Sequence, residues 1–544
     1  MMMNHMLSFG AAALLTAAVL GSPVSSAHAQ TPVSKPNVVL ILVDDLGFSD
    51  LGCYGGEINT PNLDRLANGG IKFKQFYNTA RCCPTRACIL TGLYPHQAGV
   101  GDMVDTGANT KLGGPAYTAQ LNNSCVTIAE ALKPAGYKTL MSGKWHVGSK
   151  RPHWPIDRGF DQSFVLTSGA MNYFGFNYHD PPIAPGEWKI PPLYLNDQPY
   201  KIIENFFATD AFADNANTMI KDAVVEKKPF FLYLTFTAPH FPLQATPEAI
   251  ARQKGKYTQG WEQLRAQRHK RQIDLGLIDP KWNMEPIDPR VPNWSSLTPA
   301  QKQDWELRME VYAALVENLD ENVGKVMTTL KTQGIEQNTL VMFMSDNGGA
   351  AEPINRGIPG SKTGSRESWH GYHMGWASAS NTPFRMHKIR NHEGGISSPF
   401  IAYWPGTIKP NTTSNQVGHV IDMMPTILEA AGASYPKEHN GHAITPVEGK
   451  SLLPILKGTD KPVHDVLFWE HEGNKAVREI GGGGDLKLVQ YFEGQWELYD
   501  MSIDRTEMHD LSKSRPADAK RLSAAWQAWA DRVHVRDWAL TKQP

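Results

Sequence analysis

Val38-Val39-Leu40-Ile41-Leu42-Val43 runs straight into Asp44-Asp45. No polar residue interrupts the run, so it does not alternate as a strand with one wet face would. It reads as a short strand covered on both faces. The same arrangement recurs where Phe230-Phe231-Leu232-Tyr233-Leu234 leads to Pro239-His240, and where Leu340-Val341-Met342-Phe343-Met344 ends in Ser345-Asp346-Asn347-Gly348-Gly349. Helical patterns lie between these runs. Val311, Leu315, Leu319, Val323, Val326, Met327 and Leu330 form one stripe that Gly334 should stop, and Thr60-Pro61 should begin another helix with a cap and a first-turn proline. Strands alternating with helices imply an α/β fold with a large, mostly parallel mixed sheet sandwiched by helices. Ligands of such sheets bind beyond the carboxyl ends of the strands, where the polar residues just named fall.

The pattern changes near residue 460. Val466-Leu467-Phe468-Trp469, Leu486-Lys487-Leu488-Val489 and Trp496-Glu497-Leu498-Tyr499 are short, closely spaced strand candidates, followed by a helix near 517–533. They predict a smaller C-terminal α+β domain on an antiparallel sheet, with Gly481 to Gly484 as a flexible turn. The organisation expected is a leader over 1–29, a large α/β domain over 30–460 and a C-terminal domain over 461–544. The polar, proline-rich segment from Thr246 to Pro299 reads as an excursion from the main sheet.

The chain has 544 residues, too many for one ordinary core, and 53 Lys+Arg against 54 Asp+Glu give a net charge of -1. That balance argues against a nucleic-acid partner. Leu7 to Leu20 is apolar and Ala27-His28-Ala29 fits an export cleavage site, leaving Gln30 first, although no Lys or Arg precedes the run. The expectation is a periplasmic or secreted protein with no stable membrane anchor. The five cysteines, Cys53, Cys82, Cys83, Cys88 and Cys125, are odd in number and all lie early, which suits a special role for one better than a disulfide scaffold.

That role points to Cys82-Cys83-Pro84-Thr85-Arg86-Ala87-Cys88-Ile89-Leu90-Thr91-Gly92. Pro84 can start a helix and Thr91-Gly92 can end it. A cysteine just before a helix N-terminus has a lowered pKa, whereas a buried structural cysteine is the plainer alternative. Asp44-Asp45 and Asp346-Asn347 add four oxygen-bearing side chains at two strand ends, a set that suits Ca²⁺ or Mg²⁺.

The cysteine stretch resembles the signature of type I sulfatases, the formylglycine-dependent branch of the alkaline-phosphatase superfamily: Cys-x-Pro-x-Arg followed by Leu-Thr-Gly. Thr85 stands where Ser or Ala is more usual. Gly143-Lys144-Trp145-His146-Val147-Gly148 resembles the family's Gly-Lys-Trp-His segment. Ala238-Pro239-His240 resembles its second histidine site, and Asn381-Thr382-Pro383-Phe384-Arg385-Met386-His387-Lys388, continuing to Glu393-Gly394-Gly395, resembles the segment with its second lysine. The resemblance implies that a maturation enzyme oxidises Cys82 to formylglycine before or during export. It implies that Asp44, Asp45, Asp346, Asn347 and the modified Cys82 bind Ca²⁺, or Mg²⁺ in its place. Cys82, Arg86, Lys144, His146, His240 and Lys388 would be catalytic, with Lys144, His240 and Lys388 also contacting the substrate. In the reaction so implied, the hydrated aldehyde attacks sulfur, His240 protonates the leaving oxygen, and His146 takes a proton to release sulfate. His387 and His392 have no counterpart role, and His96 is read as structural.

The segment His240-Phe241-Pro242-Leu243-Gln244-Ala245 is most similar to bacterial arylsulfatases, so the expected substrate is a sulfate monoester, of an aryl alcohol or of a saccharide. Leu486 stands where Trp is common, a change that would bear on the cleft edge. Specificity is expected in the loops around Asn172 to Tyr200 and in the polar excursion. A formylglycine-dependent phosphonate or phosphodiester hydrolase is a weaker reading, because such enzymes carry Asp-His in place of Asp346-Asn347 and lack the Lys144/His146 pair. A catalytically dead, calcium-dependent module for sulfated glycans would have lost at least one of these residues, and none is missing.

Overall fold

Alternation along the central strands builds two cores at once. In the computed structural model, Val38, Leu40 and Leu42 join one apolar core and Val39, Ile41 and Val43 the other. Leu340, Met342 and Met344 part from Val341 and Phe343 in the same way. The structure describes residues 35–104, 106–175, 193–481 and 484–542. The expected leader, most of the loop around 172–200, and Gly482-Gly483 lie outside the described residues.

The first strand, β1 (Asn37–Asp44), is buried throughout. It belongs to a sheet with β2 (Ile71–Tyr77), β3 (Lys138–Lys144), β4 (Gln162–Leu166), β5 (Leu193–Leu195), β6 (Gln198–Pro199), β7 (Phe230–Pro239), β8 (Thr339–Ser345), β9 (Ser397–Tyr403) and β10 (Thr412–His419). The ten strands lie in the order β10-β2-β9-β8-β1-β7-β3-β4-β5-β6. Only β9 and β5 run against the rest. Helix α1 (Cys82–Thr91) packs on one face, where Ala87, Cys88 and Ile89 enter the first core. Helices α2 (Ala208–Val225) and α3 (Pro299–Thr332) cover the other. The α/β sandwich expected from the sequence is present.

The stripe from Val311 to Leu330 lies inside α3, and Gly334, at φ 70°, follows its end. Two local expectations need correction. Thr60 does not cap the helix Pro61–Gly69, because its hydroxyl accepts the Gly52 N–H at 2.9 Å. Helix α1 begins at Cys82 itself rather than at Pro84, so Cys82 occupies the first turn. The polar excursion carries two helices, Pro247–Gln253 and Gly260–Asp274, anchored by the buried Trp261 against Trp294, Trp305 and Trp376. Among the described residues no helix is long and apolar enough to cross a membrane.

Four antiparallel strands follow: β11 (Val466–His471), β12 (Asn474–Glu479), β13 (Leu486–Gln490) and β14 (Trp496–Asp500), paired in chain order. Helix α4 (Pro516–Arg532) lays Trp526 and Trp529 against them. Leu467, Trp469, Leu488 and Leu498 share the first core with Phe73 and Ile89, so this sheet packs directly on the main one. Leu486 is fully buried there and fills core rather than facing a cleft.

A buried ionic cluster fastens the two sheets. Lys487 donates to Glu393 at 2.9 Å and to Glu507 at 2.8 Å, all three side chains fully buried. Arg505 and the Tyr77 hydroxyl also donate to Glu393, at 2.9 and 2.8 Å. Burial opposes the charge of Glu393, but Lys487, Arg505 and Arg478 hold its carboxyl down to about 2. The stability this group contributes is therefore complete above its ordinary 4.5 and is lost as pH falls towards about 2. Lys487→Met should destabilise the protein by about 3–5 kcal/mol at neutral pH, since it leaves buried carboxylates uncompensated. It should also flatten the loss of stability on acidification. Urea unfolding of both proteins across this acid range checks both outcomes.

Candidate active site

Four neighbouring parallel strands, β8, β1, β7 and β3, end at one edge of the sheet. Because Asp44 is level with Pro239 and Val43 with Ser345, the polar residues after each strand meet in space. Strand β1 delivers Asp44 and Asp45, β8 delivers Asp346 and Asn347, β7 delivers His240, and β3 delivers Lys144 and then His146. Gly143 lets β3 lie close to β7: its φ is +123°, and a Cβ there would come within 1.8 Å of the Thr235 carbonyl oxygen. Asp45 and His146 sit in the left-handed region at φ 66° and 57°. For such residues this conformation costs roughly 1–2 kcal/mol each, a strain characteristic of functional sites. Helix α1 brings Cys82 and Arg86 to the same edge, and the loop before β9 brings Lys388.

All ten residues singled out in the sequence meet in this cluster, and none is more than 7% exposed. Lys144 Nζ lies 2.5 Å from Asp44 Oδ2, and Lys388 Nζ lies 2.8 Å from Asp45 Oδ1. Arg86 donates to Asp346 Oδ2 at 2.8 Å and to the Lys144 carbonyl at 2.8 Å. Asn347 Nδ2 donates to Asp45 Oδ1 at 2.6 Å. His240 donates through Nδ1 to the Phe241 carbonyl at 2.6 Å, which turns Nε2 towards Asp45 Oδ2, 3.6 Å away. His146 Nδ1 is 3.6 Å from Cys82 Sγ.

These neighbours shift the titrating groups in opposite directions. For Cys82, a hydrogen bond with Cys83 is the largest influence. With Lys144 and His146 it outweighs burial and holds the thiol well below the usual cysteine range. Burial raises Asp44, yet Lys144, His240 and Arg86 bring its carboxyl below the ordinary value. Burial and the charge of Asp44 push Asp346 well up despite Arg86. Burial lowers His240 even though Asp45 and Asp44 favour its charged form.

The oxygens at this edge fit a hard divalent cation. Asp44 Oδ1 and Asn347 Oδ1 are buried with no hydrogen-bond partner and are available as ligand atoms. Asp44, Asp45 and His240 each present a ligand atom within 4.8 Å of the others. The sequence placed His240 at this site as a catalytic residue, not among the metal ligands. Asp346 faces Asp44 across Arg86 Nη2, which lies 2.8 Å from the first and 3.8 Å from the second. A cation bound among these oxygens would relieve the repulsion that raises Asp346.

Two further residues belong to the site and were missed. Arg81 pairs with Glu352 at 2.9 Å, and Glu352 lies 3.7 Å from Lys388 Nζ. Burial opposes the charge of Glu352, but Lys388 and Arg81 hold its carboxyl down to about 2. The available signals were weak: Arg81 adjoins Cys82, and Glu352 is the first acid after Asp346. Thr85, the departure from the usual motif, is fully buried and shares a hydrogen bond with Thr79 Oγ1 at 2.9 Å, so its extra methyl is accommodated. His392 pairs with Glu497 at 3.3 Å and His96 with Glu470 at 2.9 Å, both in the packing of the C-terminal sheet.

Comparison with known proteins agrees with this geometry. The family model described as Sulfatase matches residues 36–433, and one described as N-sulphoglucosamine sulphohydrolase, C-terminal, matches residues 386–525. An uncharacterized sulfatase of Schizosaccharomyces pombe is 37% identical over 91% of this chain and 94% of its own length. An arylsulfatase of Klebsiella aerogenes is 35% identical over 81% of this chain and 96% of its own. A solved structure of Ps i-CgsB in complex with k-i-k-neocarrahexaose is 27% identical, with a TM-score of 0.66 over 91% of this chain and 93% of that one. The Sulfatase match over residues 36–433 runs through every strand end that builds the cluster, and the chain belongs to the sulfatase family, enzymes that hydrolyse sulfate esters.

Proposed function

We propose that this sulfatase cleaves sulfate monoesters of the arylsulfatase type, using a formylglycine made from Cys82 and a divalent cation, Ca²⁺ rather than Mg²⁺. The observation that carries the reading is a buried oxygen cage with unpartnered Asp44 Oδ1 and Asn347 Oδ1, ringed by Arg86, Lys144 and Lys388 beside Cys82. Asp44, Asp45, Asp346 and Asn347 would hold the cation, which when bound supplies positive charge to a sulfate ester that the carboxylates alone would repel. Formylglycine supplies, as its hydrate, a hydroxyl nucleophile with a second hydroxyl through which sulfate can be released.

The chain's own residues do the rest. Lys144 Nζ and Lys388 Nζ donate charge-assisted hydrogen bonds to sulfate oxygens, and Arg86 keeps Asp346 oriented and neutralised. In His240 the proton on Nδ1 is committed to the Phe241 carbonyl, so Nε2 is the atom that delivers a proton to the leaving oxygen. Burial lowers its pKa, which makes its protonated form a stronger acid. His146 Nδ1 faces the side chain at position 82 and takes a proton there in the second half of the cycle. A leader over residues 1–29 would direct the enzyme to the periplasm or the medium, with a maturation enzyme acting on Cys82 before or during export.

A second reading, a sulfatase for a sulfated saccharide, draws support from the similarity to the structure with bound neocarrahexaose. Steady-state kinetics on an aryl sulfate and on a panel of sulfated saccharides separates the two: a far higher kcat/KM on one class identifies it.

Peptide mass spectrometry of active enzyme should find residue 82 as formylglycine, and full activity from wholly unmodified Cys82 would overturn the assignment. Asp45→Ala and Asp346→Ala should each lose bound metal, by elemental analysis, together with most activity. Retention of full turnover by a chelated, metal-free preparation would make these acids structural. The two histidines should fail at different steps. His240→Ala should lose about 10²–10⁴-fold on esters of poorly acidic alcohols and far less on activated aryl esters. His146→Ala should release about one equivalent of alcohol per site in a burst and then stall. Rapid-quench measurement of that burst checks the assignment, and a burst from His240→Ala alone would reverse it.

A further inference from the structure

Outside the site just described, a second group of metal-ligating side chains lies where the C-terminal sheet meets the loop after α1. His471 ends β11, Glu472 and Gly473 turn the chain into β12, and Asp102 comes from the loop. Each of Asp102, His471 and Glu472 presents one ligand atom, and the three atoms lie within 4.8 Å of one another. His471 is 0% exposed, yet neither ring nitrogen makes a hydrogen bond; Nε2 lies 3.5 Å from Glu472 Oε1. Asp102 is 1% exposed, and its Oδ1 also has no partner, while Oδ2 accepts from the Thr106 hydroxyl at 3.0 Å. A buried imidazole whose Nδ1 has no partner and whose Nε2 faces only the Glu472 carboxylate, beside an unpartnered Asp102 oxygen, is a ready set of ligand atoms.

We propose that Asp102, His471 and Glu472 form a second metal site, for a divalent transition ion of the zinc class. One imidazole with two carboxylates suits such an ion, whereas at the active site Asp346 and Asn347 add two more oxygen-bearing side chains to Asp44 and Asp45 and tilt that site towards a hard cation. Two arginines lie near enough to act on Glu472 and help keep it charged, but each has another partner: Arg81 pairs with Glu352 at 2.9 Å, and Arg390 stacks over the Tyr491 ring at 4.2 Å. The Glu472 side chain is 27% exposed and gives the ion a route from solvent. Bound there, the ion ties β11 to the loop whose next residue, Met103, touches Cys82 Sγ at 3.7 Å and Cys83 Sγ at 3.6 Å. The ion is a clamp between the C-terminal sheet and the loop behind the nucleophile.

The test uses the full chain, stripped by chelation, refilled with excess Ca²⁺ and titrated with Zn²⁺ by calorimetry. Wild type should bind one equivalent of Zn²⁺ that is missing in His471→Ala, and Zn²⁺ should raise the Tm of wild type but not of the variant. Asp102→Asn, which keeps the side-chain shape, should weaken that binding by more than about 100-fold, since even supporting residues of metal sites account for that much. It carries the test if His471→Ala does not fold. Unchanged Zn²⁺ stoichiometry and affinity in the folded variants, with the ion held by Cys82, Cys83 and His146 instead, would overturn the proposal, as would a wild type that binds no Zn²⁺.

Discussion

Opposite charges buried together at the carboxyl ends of β8, β1, β7 and β3 are the constraint around which this protein is arranged. Asp44, Asp45 and Asp346 are each at most 1% exposed, and isolated carboxylates at such depth would be untenable. They persist because Arg86, Lys144 and Lys388 are held against them at hydrogen-bonding distance. Further out, Arg81 pairs with Glu352, which lies 3.7 Å from Lys388 Nζ. Removing one member therefore leaves an uncompensated partner.

That cage needs a rigid frame, and the frame is the double core. The central strands are apolar on both faces, so neither face is free to slip by one residue without moving an acid off the edge. The loop carrying Lys388 has no such strand behind it. It is fixed a few residues on by Glu393, which Lys487 and Arg505 of the C-terminal region hold from the far side. The smaller sheet thus contributes to the active site without supplying a proposed catalytic residue: it anchors the segment from which the second lysine reaches in.

Much of this was legible in the chain itself. Six apolar residues before Asp44 specify a strand buried on both faces, and the stripe from Val311 to Leu330 specifies the long helix, because burial periodicity is a local property. The stretch from Cys82 through Pro84 to Arg86 marked a helix start beside the cysteine, although the structure begins that helix at Cys82 itself. Tertiary structure decided the rest. Lys388 meets Asp45 from 343 positions away and Arg81 meets Glu352 from 271, and no local pattern marks either pair. The reversed direction of β9, the turn of the Thr60 hydroxyl to Gly52 instead of its own helix, and the burial of Leu486 in core were settled the same way. Sequence determines which face of an element is apolar and which residues stand at its ends. Which ends meet is a free-energy balance over the whole core, and it exists only once the strands are ordered side by side.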